Sequence, residues 1–130
     1  SEQNHSKSDP VHFLQIWVVP AEHGLRPAYD QRPVDREKAE QGWVTLASGD
    51  SGTDAIHLAQ DVRLLTTLLG KGRERILELE PGRQAWVHVA RGVTSLRGQP
   101  LSEGDGVAVT GEESLTFGGG DAELLAFDLA

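Results

Sequence analysis

Short apolar runs separated by turn-forming residues make up most of the chain. Each run has the length of a strand, and Gly, Pro, Asp and Ser cluster between the runs. Strands of this length at this spacing are typical of a β-sandwich or a β-barrel. The predicted strands cover residues 11–19, 43–47, 55–59, 62–69, 75–80, 85–92, 106–111, 114–117 and 122–129.

Local sequence supports strands over helices. Apolar and polar residues alternate over residues 76–80 and 86–89, so one face of each strand is expected to be buried. Between the strands, glycine-containing stretches tolerate positive φ angles, which tight turns require. Residues 33–42 have a helix-favouring middle and a terminating Gly42, but almost no apolar stripe. We therefore expect an all-β domain with at most one short helix.

Length, charge and composition narrow the range of partners. A chain of 130 residues is enough for one domain with a single core. Its net charge of −8 disfavours nucleic acid, and no apolar stretch approaches the ~18 residues of a membrane helix. The basic stretch 71–75 is interpreted as a solvated turn. The absence of cysteine excludes disulfides and thiolate metal sites, and it is compatible with the cytoplasm, where we expect the protein.

Two parts of the sequence resemble a known family. The glycine spacing over residues 79–109 looks like the second half of a cupin barrel, in which glycines end strands where the barrel bends. The first 31 residues resemble the linker and first strand of the second domain of pirin-family proteins, which are two-domain cupins. The C-terminal LLAFDLA is similar to the closing strand of the quercetinase-like members. The matching N-terminal residues are Ser1, Glu2, Asn4, Pro10, Gln15, Ile16, Trp17, Gly24, Pro27, Tyr29 and Gln31.

The resemblance implies a metal centre that this chain contains only in part. In the family, the N-terminal cupin holds one divalent metal, usually iron, through three histidines and a glutamate. The last two ligands form a His-Ser-Glu triplet, in which Glu2 matches the glutamate. The chain thus looks cut inside this motif, with residues 1–9 as a polar arm and residues 10–130 as the C-terminal cupin domain. Removal of an initiating methionine before Ser1 would give the same start.

This half is expected to bind no metal of its own. A lone carboxylate such as Glu2 cannot hold iron, because such sites need several preorganised ligands. Metal-binding cupins place a His-x-His pair and a glutamate around the Pro-Gly turn, where this chain has residues 83–86, Arg-Gln-Ala-Trp. The histidines show no ligand spacing; they are His5, His12, His23, His57 and His88.

The aromatic residues are the remaining candidates for a site. Trp17, Trp43 and Trp86 are predicted to lie in strands, as core or interdomain packing, and with His88 they could line a pocket or an interface. A tryptophan at an open barrel mouth could stack against a flat ligand.

Two functions follow from these observations. In the first, the chain is the structural, metal-free half of a quercetin 2,3-dioxygenase-type enzyme or redox-responsive regulator, and it is inactive alone. Residues 11–19 then pack against the missing N-terminal cupin. In the second, the chain is a stand-alone, metal-free cupin that forms a homodimer or binds a small ligand in its barrel. Upstream gene sequence would discriminate between them.

Overall fold

The computed structural model describes residues 2–130, and its fold is all-β with one short helix, as predicted. Ser1 lies outside the described residues, so the prediction made for it is not addressed. One short helix, α1, spans Arg36–Gln41. The strands are β1 (Val44–Ser48), β2 (Ile56–His57), β3 (Val62–Leu69), β4 (Glu74–Glu78), β5 (Gln84–Leu96), β6 (Gln99–Ser102), β7 (Gly106–Thr110), β8 (Ser114–Gly118) and β9 (Ala122–Leu129).

The helix forms where the sequence predicts it, but it is shorter. Asp35 is its N-cap, because the Asp35 carboxylate accepts a hydrogen bond from the backbone N–H of Lys38. At the other end the N–H of Gly42 donates to the carbonyl of Lys38. The hydroxyl of Thr67 on β3 donates to the carbonyl of Gly42 over 2.8 Å, and this bond ties the helix end to the sheet.

Strand β5 belongs to two sheets. Its first half pairs with β9 and β7, and its second half pairs with β6 and β8. The strand bends at Gly92, where φ is +78° and a Cβ atom would lie 2.0 Å from the carbonyl oxygen of Asp121. The prediction that this strand ends in Gly92 is therefore wrong. A residue without a side chain lets the chain turn from one sheet into the other without breaking the strand.

The remaining strands are arranged on either side of β5. In the first sheet the order is β2-β1-β3-β9-β5, with β7 also on β5, and in the second it is β5-β8-β4, with β6 on β5. A two-residue turn joins β5 to β6, and its residues Arg97 and Gly98 both have positive φ, as a type I′ turn requires.

Apolar side chains fill the space between the two curled sheets. Phe117 is fully buried, and the ring of Trp43 meets it edge to face with 6.4 Å between the ring centroids. The indole N–H of Trp43 donates to the carbonyl of Ile76 over 2.9 Å. The other members of this core are Leu69, Leu77, Leu79, Ala85, Val87, Val89, Leu96, Leu101, Leu115, Ala122, Leu124 and Ala126.

The prediction of a first strand over residues 11–19 is wrong. Residues 2–35 contain no helix or strand, although the stretch is apolar enough for one. A strand needs a neighbour for its N–H and C=O groups, and the contacts here are isolated. The side-chain amide of Gln60 donates to the carbonyl of Val19 over 2.9 Å, and the N–H of Ala21 donates to the carbonyl of Ala59 over 2.8 Å.

Two of the three tryptophans also lie outside strands. Trp17 is in the irregular N-terminal stretch and Trp43 precedes β1, so only Trp86, on β5, has the predicted strand position. Within residues 2–130, the short α1 is the only helix, and no helix is long and apolar enough to cross a membrane.

A buried carboxylate joins the last strand to the rest of the domain. Asp128 on β9 is 1% exposed and accepts hydrogen bonds from the guanidinium groups of Arg63 and Arg83. Arg83 also donates to the carboxylate of Asp61 over 2.9 Å. The hydrogen bond to Asp128 is the main cause of a raised pKa for Arg83. This network holds together β3, β9 and the residue that precedes β5.

We expect Asp128→Ala to lower the free energy of unfolding by about 3 kcal/mol, because it leaves the partly buried guanidinium group of Arg63 without its counter-charge and that of Arg83 with only the exposed Asp61. Urea denaturation followed by circular dichroism measures this change. Asp61→Ala is the matched control, and it should lower the free energy by less than about 1 kcal/mol, since the Asp61 side chain is 64% exposed. Equal losses in the two variants would contradict the central role of Asp128.

We expect Gly92→Ala to destabilise the domain by about 2–5 kcal/mol, because the new Cβ meets backbone and the left-handed φ is strained. Gly111→Ala is the control, since φ at Gly111 is +73° but no atom lies within 4 Å of the position that a Cβ would take there. That variant should lose only the ~1–2 kcal/mol of backbone strain. Similar urea midpoints for both variants would show that the close approach to Asp121 is unimportant.

Candidate functional site

The outer face of the first sheet is unusually apolar. On β9, Leu124 and Ala126 point into the core, so the alternate residues Leu125, Phe127 and Leu129 point outward. Antiparallel pairing sets Phe127 beside Trp86 and Leu125 beside His88 on β5. Large apolar and aromatic side chains therefore cover a face that is often polar in antiparallel sheets.

A groove lies between this face and the N-terminal stretch. Its volume is about 410 Å³, and we call it the aromatic groove. The irregular residues 14–17 form one wall and the outer face of β5 and β9 forms the other. The lining residues are Leu14, Gln15, Ile16, Trp17, Trp86, His88, Leu125, Phe127 and Leu129.

Gly106 holds the indole of Trp86 in place. The two residues lie on the paired strands β7 and β5, and a Cβ at Gly106 would lie only 2.2 Å from Cζ2 of Trp86. The ring therefore packs directly on the backbone of Gly106. Because larger residues would displace the ring, the glycine fixes one aromatic wall of the groove. Nothing in the sequence alone links these residues, since they are 20 positions apart.

Three of the four residues predicted for a pocket or interface meet in the aromatic groove. Trp17, Trp86 and His88 line it, and Trp43 packs in the core instead. Trp17 is 86% exposed and Trp86 is 42% exposed. Within residues 2–130, neither indole N–H has an acceptor, whereas the N–H of Trp43 is bonded to Ile76. The groove thus presents two exposed indole rings to solvent.

The residues of this chain do not fit the metal that the family resemblance implies. Among residues 2–130, no three His, Cys, Asp or Glu side chains come together in a group that could hold a metal ion. Glu2 is exposed, and His88 lies between Trp86 and apolar neighbours. The interior, where a cupin metal would lie, is filled with aliphatic side chains and Phe117. The remaining histidines are all exposed; they are His5, His12, His23 and His57.

A second, larger groove of about 640 Å³ lies near α1 and is lined by charged residues of both signs. Two of its arginines have carboxylate partners, since Arg36 pairs with Glu40 and Arg91 pairs with Glu123. Because these charges largely compensate one another, the groove has no strong preference for an anion or a cation. This groove could not be predicted from local sequence, because its residues come from α1, three strands and the turns next to them.

The predicted solvated turn at residues 71–75 is only partly solvated. Arg75 points inward and donates to the carbonyl of Glu40 on α1 over 2.9 Å. Burial lowers the pKa of Arg75, and the neighbouring positive charge of Arg73 lowers it further. The Nε atom of Arg75 is buried and has no acceptor among residues 2–130. Arg75 therefore helps to hold α1 and is not part of an open basic patch.

Exposed apolar side chains concentrate in residues 11–34, which we call the N-terminal segment. Of the twelve large hydrophobic residues that are exposed in residues 2–130, nine belong to this segment. Scattered exposed hydrophobics are ordinary, but a concentration of this kind marks an interaction surface. The nine are Val11, Phe13, Leu14, Ile16, Trp17, Val19, Leu25, Tyr29 and Val34.

Comparison with known proteins shows similarity to one family. The family model of the quercetinase C-terminal cupin domain matches residues 45–129. The quercetin 2,3-dioxygenase of Escherichia coli (strain K12) is 32% identical over 130 residues, which cover 99% of this chain and 55% of that protein. This chain therefore spans about half the length of the curated relatives that it matches.

Two solved structures are also similar to this chain over about half of their own length. The crystal structure of YhhW from Escherichia coli is similar with a TM-score of 0.78 and 30% identity, covering 88% of this chain and 48% of that chain. A second structure is that of the bacterial pirin YhhW in complex with nickel(II), with a TM-score of 0.75 and 30% identity. It covers 85% of this chain and 47% of that chain.

Proposed function

The chain belongs to the pirin family as a quercetinase C-terminal cupin domain, and from this membership we propose that it is the structural, metal-free half of a two-domain protein. The activity of the whole protein is then a metal-dependent oxidation of the quercetin 2,3-dioxygenase type. In this assignment, the reactive metal is held by the other half, and this chain supports and covers that half.

The main support for this proposal is the close packing of the interior. A metal-dependent oxygenase needs several N or O ligands around open positions for substrate or oxygen. Here the core residues of β5, β8 and β9 are aliphatic or aromatic and pack against one another, and the buried carboxylate of Asp128 at the end of β9 is already paired with Arg63 and Arg83. The interior therefore offers neither ligands nor space for a reaction. For the same reason, we do not favour the alternative in which a small ligand binds inside the barrel.

The exposed N-terminal segment supports the proposal that another surface packs against this chain. Its exposed apolar side chains would gain about 1 kcal/mol or more each if a second surface covered them. The relatives are about twice as long as this chain, so they contain a further half that can provide this surface. We therefore assign Val11, Phe13 and Val19 to the contact with the metal-holding half. A second copy of this chain is the competing partner.

Metal content and oxygen uptake test the proposed division of labour. We expect the purified chain to hold less than about 0.1 metal ion per molecule after incubation with Fe²⁺ or Ni²⁺ and removal of the excess, because it lacks a ligand set. Mass spectrometry of the metals measures this content. We also expect no quercetin-dependent oxygen uptake above the level of free metal. A stoichiometric metal with turnover would overturn the proposal.

A chimera tests the assigned contact. In a protein in which this chain replaces the matching half of the Escherichia coli relative, changing Val11, Phe13 and Val19 to Ser should lower Tm by roughly 6 °C or more. In the isolated chain the same change should shift Tm by less than about 2 °C, because the three side chains are already exposed. Scanning calorimetry measures both values.

The matched control changes Ile76 and Val93, which are similarly exposed but lie outside the N-terminal segment, to Ser. These changes should have the same small effect in the chimera and in the isolated chain. If the segment variant instead shifts the isolated chain from dimer to monomer in sedimentation experiments, the partner is a second copy.

A further inference from the structure

We propose that the outer edge of β7 is a docking site for an extended segment of a partner protein, which pairs with β7 as an added strand and carries basic residues at both of its ends. We call this edge the open edge. None of the residues that line the aromatic groove belongs to β7, so the two surfaces are distinct. The inference goes beyond the proposed function, because it depends neither on a metal nor on the contact assigned to the N-terminal segment.

One side of β7 has no neighbouring strand within residues 2–130. Strand β7 pairs with the first half of β5 and with no other strand. The N–H of Val89 on β5 donates to the carbonyl of Asp105 over 2.9 Å, and in the same register Val87 faces Val107. Hydrogen-bonded pairs alternate with non-bonded pairs along an antiparallel ladder. Val107 and Val109 therefore direct their backbone groups toward β5.

The backbone groups of the intervening residues point away from β5. These residues are Gly106, Ala108 and Thr110, and all three are exposed. In the part of the chain that the structure describes, no backbone hydrogen bond from a loop or turn reaches them. The ladder between β5 and β7 has no register shift, so no bulge turns the edge away from solvent. The open edge therefore presents N–H and C=O groups that another chain can pair with.

Strands β2, β4 and β6 also lie at edges, but each of them is protected. On β4, the indole of Trp43 occupies the carbonyl of Ile76, and the strand carries the charged residues Glu74 and Glu78. Strand β6 contains Pro100, and β2 has only two residues. Proline, charge and short length are devices that keep strand edges from pairing. Strand β7 has five residues and contains neither a charge nor a proline.

The two faces of β7 define the side chains of the added strand. Val107 and Val109 pack against the core but are only partly buried, so they lie at the rim of the interior. An added strand would place every second side chain beside them, where an apolar residue gains burial. The alternate side chains would lie next to Ala108 on the exposed outer face and can be polar. The complementary segment therefore alternates apolar and polar residues.

The charges around the open edge favour basic residues at the ends of that segment. Glu103 and Asp105 precede β7 and Glu113 follows it, and all three are exposed. Among residues 2–130, the flanking carboxylate that forms an ion pair is that of Glu112, which pairs with Arg97. Lys or Arg at both ends of an added strand would meet the other carboxylates, and the net charge of −8 acts in the same direction.

The same charges disfavour a second copy of β7 as the occupant. In a symmetric antiparallel pair centred on Ala108, Gly106 of one copy faces Thr110 of the other. This register brings together the acidic ends of the two copies, Glu103 and Glu113. Like charges opposite one another on adjacent strands are destabilising. The favoured occupant is therefore a different chain with basic flanks.

Amide hydrogen exchange in the presence of a designed peptide tests the proposal. The probe is the acetylated and amidated peptide Lys-Arg-Val-Thr-Val-Thr-Val-Arg-Lys. In the chain alone, we expect slow exchange at Val107 and Val109 and fast exchange at Ala108, because only the two valines are bonded to β5. A saturating concentration of the peptide should slow exchange at Ala108 by at least about tenfold. Nuclear magnetic resonance measures both the exchange and the affinity.

Two control peptides separate backbone pairing from charge. Replacing both threonines of the probe with proline keeps its charge but prevents it from pairing as a strand. Replacing its four basic residues with glutamate keeps the apolar alternation and reverses the charge. Neither control should slow exchange at Ala108.

Variants of the chain locate the site. Glu103→Lys together with Glu113→Lys should weaken binding of the basic peptide about tenfold, because it removes the attraction at both ends of the open edge. The matched control is Glu74→Lys with Glu78→Lys, which makes the same change in net charge on β4 and should alter the affinity less than about twofold.

A change in the backbone gives an independent test. Ala108→Pro removes the central N–H of the open edge and should weaken peptide binding about tenfold, while proline at an edge position that faces solvent is compatible with the strand. Thermal unfolding checks that each variant is folded. The double variant of Glu103 and Glu113 decides the matter if Ala108→Pro does not fold.

Several results would overturn the proposal. Unchanged exchange at Ala108 with saturating peptide, or equal protection by the proline peptide, would show that no strand is added. Protection of Ala108 that rises with protein concentration without any peptide would assign the open edge to a second copy. Loss of peptide binding in the chimera with the Escherichia coli half would assign the edge to that half. None of these measurements involves metal content or oxygen uptake, so failure here is distinguishable from failure of the proposed function.

Discussion

The bend of β5 is the constraint on which the rest of the structure depends. Because one strand hydrogen-bonds in both sheets, the two sheets are held at a fixed angle and enclose a single interior. The bend is possible because Gly92 has no side chain. The backbone of Asp121 occupies the space that a side chain at this position would need. The same geometry decides which residues of β5 face inward, so Val87 and Val89 enter the core and Trp86 and His88 face out.

The interior of this domain differs from the interior expected of a metal-binding cupin. In such a domain the inside of the barrel carries polar ligands, but here it is packed with aliphatic side chains around Phe117. The exposed aromatic rings of Trp17 and Trp86 are on the outer side of the first sheet instead. Burying apolar surface inside stabilises the domain, and the outer face of the sheet plays no part in this packing. The packed core and the exposed aromatic surface therefore lie on opposite sides of the same strands.

Strands and turns could be predicted from local sequence, but contacts between distant residues could not. Alternation around Trp86 and the glycines between runs correctly indicated an all-β fold, because these signals act over a few residues. The apolar stretch at 11–19 gave the same signal and formed no strand, since strand formation needs a neighbour that local sequence does not specify. The packing of Gly106 against Trp86 and the role of Asp128 depend on register, which appears only once the strands are paired.

The buried carboxylate of Asp128 also affects how the edge of the first sheet can open. It is the shared counter-ion of Arg63 on β3 and of Arg83, the residue that precedes β5. Separating β9 from β3 would expose this charge and release both guanidinium groups at the same time. The end of β9 should therefore not fray independently, and its opening should be coupled to that of the neighbouring strands.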